Sequence, residues 1–469
     1  MAFRLVLVLL LVAGPGLGQT SLELALEGFE DGPATVRPDD IDDILDDFDA
    51  EPTPGPTEPD ASGALPAWLR LGATLEERMI INLAHDAPQS GDVDHRGLSS
   101  LRSRLDVEAD VELGRDWRGR ATGHAWFDLA FHANGRRSYP RGFLDAYERE
   151  AELGELFVQG SLGENIDVTL GRQVVIWGRS DLFRVTDVLN PLDNRLPGMT
   201  DIEDLRLPIA MARLDVYAGR WNVSMIAVPE RRFDKGPVPG SDFFPGQSSA
   251  PPQDDPDNAF GSPEVAVALT GTFPSWDISF YAANVFDDRP HVVETGTGPR
   301  LRRNRMWMVG SAGNYVSGNW LLKMEVAGFA GLRFTNAAGR KFSRLAALIG
   351  VEYSGFAETA IAFEAVNRHI FDYDSRLAAM PDDRRRNEPA TALRISRSMR
   401  NDTIEVSFLA LNLGLTGENG AIQRLQAVYN LTDSVDLTAG LVLYKSGDQA
   451  PFREIGDNDR LFFALDYYF

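Results

Sequence analysis

His124 and Asp128 lie four residues apart, and a histidine with a carboxylate is the raw material of a hydrolytic site or a proton relay. On an extended chain, however, four residues span roughly 13 Å, too far for a direct hydrogen bond. The preceding segment could bring Asp106 or Glu108 near His124, but register is not legible in one sequence. Hydrolysis needs an Asp/His or Ser/His pair within hydrogen-bonding reach, and no local motif supplies one. The chain has no cysteine and only six scattered histidines, which removes thiolate chemistry, disulfides and a histidine-rich metal centre. The expectation is a non-enzyme with no cofactor and no metal. Arg120, His124 and Asp128 then read as rungs of a mixed polar ladder.

The elements that would position that ladder are strands. From Trp68 to Phe469 the chain repeats stretches of 9–16 residues of apolar/polar alternation, each followed by a turn. Residues 97–113 show the pattern: Leu101, Leu105, Val107, Ala109, Val111 and Leu113 share one face. Arg102, Arg104, Asp106, Glu108, Asp110 and Glu112 share the other. Strands of about 10 residues with one apolar and one charged face suit a transmembrane antiparallel barrel with a polar lumen better than a soluble sandwich. No window after the first 20 residues is apolar enough for a spanning helix. Eighteen strands are predicted, from 68–84 to 458–469, with sixteen as the alternative count. Among them are 118–133 and 165–178. Tight turns such as Gly163-Glu164, Pro274-Ser275 and Gly355-Phe356 follow the even-numbered strands, and longer connections follow the odd ones. That parity is expected of an outer-membrane barrel with short periplasmic turns and long extracellular loops. The last strand alternates Leu461, Phe463, Leu465, Tyr467, Phe469. Tyr467 and Phe469 resemble the terminal signature read by the bacterial barrel assembly machinery.

Other segments are read as non-barrel. Residues 1–18 have the short apolar run and small-residue end of a secretory signal peptide. Residues 19–66 form an acidic, proline-rich tail. Within it, residues 21–60 hold 14 acidic residues against Arg37, a large part of the net charge of −23, and the acidic balance excludes a general nucleic-acid binder. Such a stretch cannot bury a core. Phe29 and the helically spaced Ile41, Ile44, Leu45 and Phe48 form apolar islands suited to fold-on-binding with a periplasmic partner, the alternative being a solvated spacer.

The connection 179–208 is too apolar to hang in solvent. Leu182, Phe183, Val185, Val188 and Leu189, followed by Asp187, Asn190, Pro191 and Asp193 in the same stretch, are expected to fold into the lumen as a plug or constriction. One or two helical turns are expected there, limited by Pro191 and Pro197. The alternative is a loop over the barrel mouth or at a protomer interface. Lys323, Glu325 and Arg394 are predicted to point inward beside it. Arg300, Arg302, Arg303 and Arg305 are expected near the outer rim, either as a solvated loop or against lipopolysaccharide.

Gly171-Arg172-Gln173-Val174-Val175-Ile176-Trp177-Gly178, then Asp187-Val188-Leu189-Asn190-Pro191-Leu192-Asp193, resembles a bacterial outer-membrane family catalogued as a domain of unknown function. It is more distantly similar to the alginate-export barrels, which have 18 strands and an inward-folded loop. The resemblance implies an outer-membrane conduit for hydrophobic or lipid-like cargo, working with an RND transporter of the MMPL-like branch and a periplasmic carrier. The residues themselves leave open a passive porin for sugars or organic acids and, more remotely, a barrel-embedded hydrolase.

Overall fold

The computed structural model describes residues 66–469, except 90, 202–203, 245–250, 255–261, 450–451 and 454. The readings made for residues 1–18 and for the tail, Phe29, Ile41, Ile44, Leu45 and Phe48 included, lie outside the described residues.

Eighteen strands close into one antiparallel barrel. They are β1 (Leu69–Asn82), β2 (Gly97–Glu112), β3 (Trp117–Asp128), β4 (Arg149–Ser161), β5 (Ile166–Gln173), β6 (Ile209–Ala218), β7 (Trp221–Val228), β8 (Glu264–Phe273) and β9 (Trp276–Phe286). After a loop hairpin, β10 (His291–Thr295) and β11 (Gly298–Arg302), the wall resumes with β12 (Arg305–Ser317), β13 (Trp320–Leu332), β14 (Phe342–Phe356) and β15 (Thr359–Ile370). It ends with β16 (Asn387–Met399), β17 (Ile404–Leu413), β18 (Ala421–Thr432), β19 (Val435–Lys445) and β20 (Arg460–Tyr468). Each wall strand pairs with its neighbours, and β1 meets β20 from Thr74↔Tyr468 to Asn82↔Arg460, which removes every open edge.

The period-two pattern sets the two faces. Along β2, Leu105 and Val107 face outward and are 40 % and 47 % exposed, while Arg102 and Arg104 point into the lumen. The same alternation leaves Val265, Val267, Leu322, Met324, Val326, Ile349, Phe363 and Leu425 exposed around the outside. In water this apolar band would be a liability; against hydrocarbon it is the stable arrangement. Trp276, Tyr315, Trp320, Phe356, Tyr429 and Tyr467 are exposed near the short-turn end, where an aromatic girdle meets the membrane interface. Phe469 closes the seam there: its N–H donates to the Ala73 carbonyl at 3.0 Å, and Ala73 N–H donates back at 2.8 Å.

Two strands end earlier than predicted. The strand expected to reach 133 stops at Asp128, whose carboxylate takes the N–H groups of Leu101 (2.9 Å) and Ala130 (3.0 Å). That local turn bends the chain into α1 (Ala130–Ala133), so His132 leaves the inward face of the strand. The helix α2 (Arg141–Tyr147) follows over the long-loop end. The strand expected to reach 178 stops at Gln173, where the chain leaves the wall for the lumen. The basic run at 300–305 is no open loop, since Arg300 and Arg302 sit in the β10–β11 hairpin and Arg302 pairs with Asp254.

Candidate functional site in the barrel lumen

The lumen is built from the point where β5 ends. Gly171 adopts φ +126°, and a Cβ there would stand 2.2 Å from the Leu156 carbonyl oxygen, so only glycine lets β5 approach β4 this closely. Beyond Gln173 the chain turns inward. Asn190 fastens the turn from the other side: its side-chain oxygen accepts the Val175 N–H at 2.8 Å, and its amide donates to the Gln173 and Leu207 carbonyls. Trp177 then stacks on Tyr281 of β9, ring centres 4.7 Å apart. Gly178, at φ +91°, passes so close to Glu325 and Thr186 that a Cβ would come within 2.9 Å of both.

Glu325 on β13 holds the plug by its backbone. Its carboxylate accepts the N–H groups of Arg179 (2.5 Å), Ser180 (2.7 Å) and Thr186 (3.2 Å), and the Thr186 hydroxyl (2.9 Å). Around it, Lys323 pairs with Asp181, Arg179 pairs with Asp277 at 2.5 Å, and the Ser180 hydroxyl donates to Glu364. Leu182, Phe183, Val185 and Leu189 are buried against Met211, Ile226, Met308, Phe329 and Leu348 of the wall, with Val188 packed at the edge of that cluster. Asp187 is buried between Arg206 (2.9 Å) and Arg184 (3.3 Å). Pro191 offers its carbonyl to the Leu207 N–H, and Asp193 pairs with Arg195. The far end of the segment reaches the opposite wall: Asp201 pairs with Arg394 of β16 and Arg424 of β18, and Met199 packs on Ile422 and Tyr444. The expected helical turns are not among the described residues of 179–208. Wall carboxylates take the N–H groups that a helix would have bonded internally, so the chain has no need to coil.

Sequence reasoning missed a second inward segment, after β7. Asp234 accepts the Leu192 N–H at 2.7 Å, and Lys235 N–H donates to the Leu192 carbonyl. Lys235 and Arg232 reach Glu152 on β4. Asp242 meets the fully buried Arg460 at 2.8 Å; burial alone would raise its pKa, but Arg460 holds it below the ordinary carboxylate value. The signal available was the mixture of Arg231, Arg232 and Lys235 with Phe233 and Phe243 in a loop otherwise rich in Pro and Gly.

Between these segments and β1–β4 lies an open vestibule of about 740 Å³, reaching Gly72, Tyr468 and Phe469 at the short-turn end. Its wall carries Glu76, Arg78, Arg104, Asp106, His124 and Glu150. Arg102, Tyr147 and Leu196 line both this vestibule and a small cavity of about 30 Å³ beneath the long loops, so they form the partition between the two. The Arg102 guanidinium lies 4.0 Å over the Trp126 ring, and Arg195 approaches the same ring at 5.9 Å.

The remaining ladder residues separate. Arg120 pairs with Glu108 at 2.8 Å and lies nearer the short-turn end. Asp128 is buried, taking the Ser100 hydroxyl at 2.5 Å and the N–H groups of Leu101 and Ala130 rather than a bond from His124. Asp106 does face His124 in register, yet the near contact of His124 is Glu150, at 3.4 Å. His124, Glu150 and Glu152 are close enough to surround a cation. Arg195, Arg232 and Lys235 already neutralise both carboxylates, which makes a loop-fastening cluster the better account.

The family model described as a protein of unknown function (DUF1302) matches residues 51–469. The chain belongs to that family. No curated protein matches the sequence. Among solved structures, the DUF1302 chain is similar to Acinetobacter baumannii OccAB1, at 11 % identity over 86 % of this chain and 96 % of that one, with a TM-score of 0.50. Acinetobacter baumannii OccAB3 (10 %, 86 % and 99 %, TM-score 0.49) and Pseudomonas aeruginosa OccK11 (10 %, 85 % and 95 %, TM-score 0.47) are also similar. The shared feature is the closed outer-membrane-type barrel. In the DUF1302 chain, the stretch 171–193 is the point where that barrel sends its own backbone into the lumen.

Proposed function

We propose that this DUF1302 barrel is a narrow outer-membrane channel for small polar solutes, with its short turns periplasmic. The observation that carries this reading is the charged vestibule of about 740 Å³ leading to the Arg102–Tyr147–Leu196 partition. A lipid-like cargo would have to desolvate Arg78, Arg104, Glu76 and Asp106 without replacing their hydrogen bonds, at a cost of about 1–3 kcal/mol for each group. The apolar surface inside the barrel is consumed by the plug itself, so the porin reading has more support than the hydrophobic conduit. Mixed signs along the wall favour solutes carrying both donors and acceptors over a simple cation or anion pore.

Single-channel recording of the refolded protein tests it. Small, steady steps are expected, and Arg102→Gly with Leu196→Gly should raise them about two- to threefold by opening the partition. Silence from both proteins would overturn the channel reading.

The helically spaced Ile41, Ile44, Leu45 and Phe48 support a second proposal, that the acidic tail docks a periplasmic carrier or an RND-type pump. Deleting residues 20–62 should then abolish solute transfer in cells while leaving barrel assembly intact. Unchanged transfer would reduce the tail to a spacer.

A further inference from the structure

On the opposite side of the long-loop end from the vestibule partition, a cavity of about 140 Å³ is enclosed by the ends of β13–β15 and the loops above them. Arg289, Arg333, Arg344 and Arg384 all line it. Such a concentration of guanidinium groups normally comes with bidentate carboxylate partners, and here it does not. Arg344 lays its face 4.3 Å over the Phe329 ring, and its buried Nε has no hydrogen-bond partner. Among the described residues the Arg289 side chain makes no hydrogen bond either, and Arg384 reaches only as far as 3.6 Å from Glu388. The three carboxylates at the cavity are shared with backbone and amide donors. Asp382 accepts the N–H groups of Thr335 (2.8 Å) and Asn336 (2.6 Å), Asp287 accepts the Arg289 N–H (3.1 Å), and Glu388 accepts the Arg385 N–H and the Gln449 amide (each 3.3 Å). The Arg289 charge, followed by burial, brings the Arg384 pKa down to about 10, so Glu388 and Asp287 compensate the positive charge at this spot only in part.

We propose that this cavity is a binding site for a phosphate-class oxyanion, held by Arg289, Arg344 and Arg384. Three planar guanidinium groups from separate segments lining one cavity offer more donors than a single carboxylate can use, and suit an oxyanion with several acceptor oxygens better. A water occupies about 30 Å³ of liquid, so the volume admits a phosphate with room for a substituent. Arg344 shares the inward face of β14 with Ala346 and Leu348, so the cavity lies on the lumen side of the wall. That favours a phosphorylated solute, although a lipopolysaccharide phosphate offers the same chemistry. The proposal stands independently of the channel reading.

Titration calorimetry on the full chain refolded in detergent, at low ionic strength, tests the site with inorganic phosphate, acetate and lipid A micelles as separate probes. Saturable phosphate binding is expected, weakened at least tenfold by Arg344→Ala with Arg384→Ala, the equivalent of losing one charge-assisted contact. Binding of lipid A alone with the same arginine dependence would retain the phosphate site and assign its source to a headgroup. Acetate binding as tightly as phosphate, binding undiminished in the variant, or no binding of either phosphate probe would each overturn the proposal. Should the double variant fail to fold, Arg384→Ala alone, in a loop outside the barrel wall, provides the same comparison.

Discussion

Exchanging residues 180–207 for a short Gly/Ser linker is expected to raise single-channel conductance by about tenfold, because an unobstructed barrel of this strand number encloses an aqueous pore. The segment crosses the lumen from β5 to the opposite wall, where Asp201 meets Arg394 and Arg424. Its removal therefore joins the vestibule to space now filled by Leu182, Phe183 and Leu189. The barrel wall should survive, since its pairings run unbroken from β1 to β20 without contribution from the segment. The measurement is planar-bilayer recording of both proteins side by side. Equal conductance would show that α2 and the 230–244 segment close the lumen on their own.

Glu325→Ala should detach the plug while leaving it in the chain. One buried carboxylate, 4 % exposed, receives four donors from Arg179, Ser180 and Thr186. Alanine leaves those donors facing an apolar wall, and the loss is expected to be about 3–5 kcal/mol, the range for removing one partner of a buried charged network. Glu325→Gln should be nearly as harmful, because its amide would present two hydrogens to groups that themselves donate. The readouts are new proteolytic cleavage after Arg179 or Arg184 and rapid open–closed flicker in the bilayer. A variant as resistant and as quiet as the parent would show that apolar packing of Leu182, Phe183 and Val185 holds the plug unaided. That packing is substantial, at about 1.5–3 kcal/mol for each buried side chain, so the two contributions are separable by experiment.

The sequence by itself determined the wall. Strand identity depends on a period of two read over ten or so residues, a local property, and turn chemistry at Gly163, Pro274 and Gly355 is local as well. The eighteen strands, their alternation of short and long connections, and the outward apolar band were therefore legible residue by residue. An inward course for 179–208 is an expectation of the same kind, because five large apolar side chains in one loop require burial somewhere. What the plug binds was not legible. Glu325 lies about 140 residues beyond the amides it accepts, and the polar alternation of β13 looks like that of any other strand. Only closure of the barrel decides which inward residues face one another across the lumen.

The same reason accounts for the errors at the ends of β3 and β5. Apolar residues such as Phe131 and Val175 continue the strand pattern, but Asp128 and Asn190 offer hydrogen bonds that pull the backbone off the wall, and their partners on other segments, Leu101 for Asp128 and Val175 for Asn190, meet them only in the folded barrel. It also explains why nothing in the sequence marks 230–244 as inward: Lys235, Arg232 and Asp242 are charged, and charge reads as solvent exposure until Glu152 and the buried Arg460 are seen beside them. The arginine cavity belongs to this class too, assembled from residues 289, 344 and 384, each unremarkable in its own segment. A barrel fixes its wall by neighbouring strands, which a linear reading can follow. It fixes its interior by contacts across a diameter, which depend on strand order, register and tilt together.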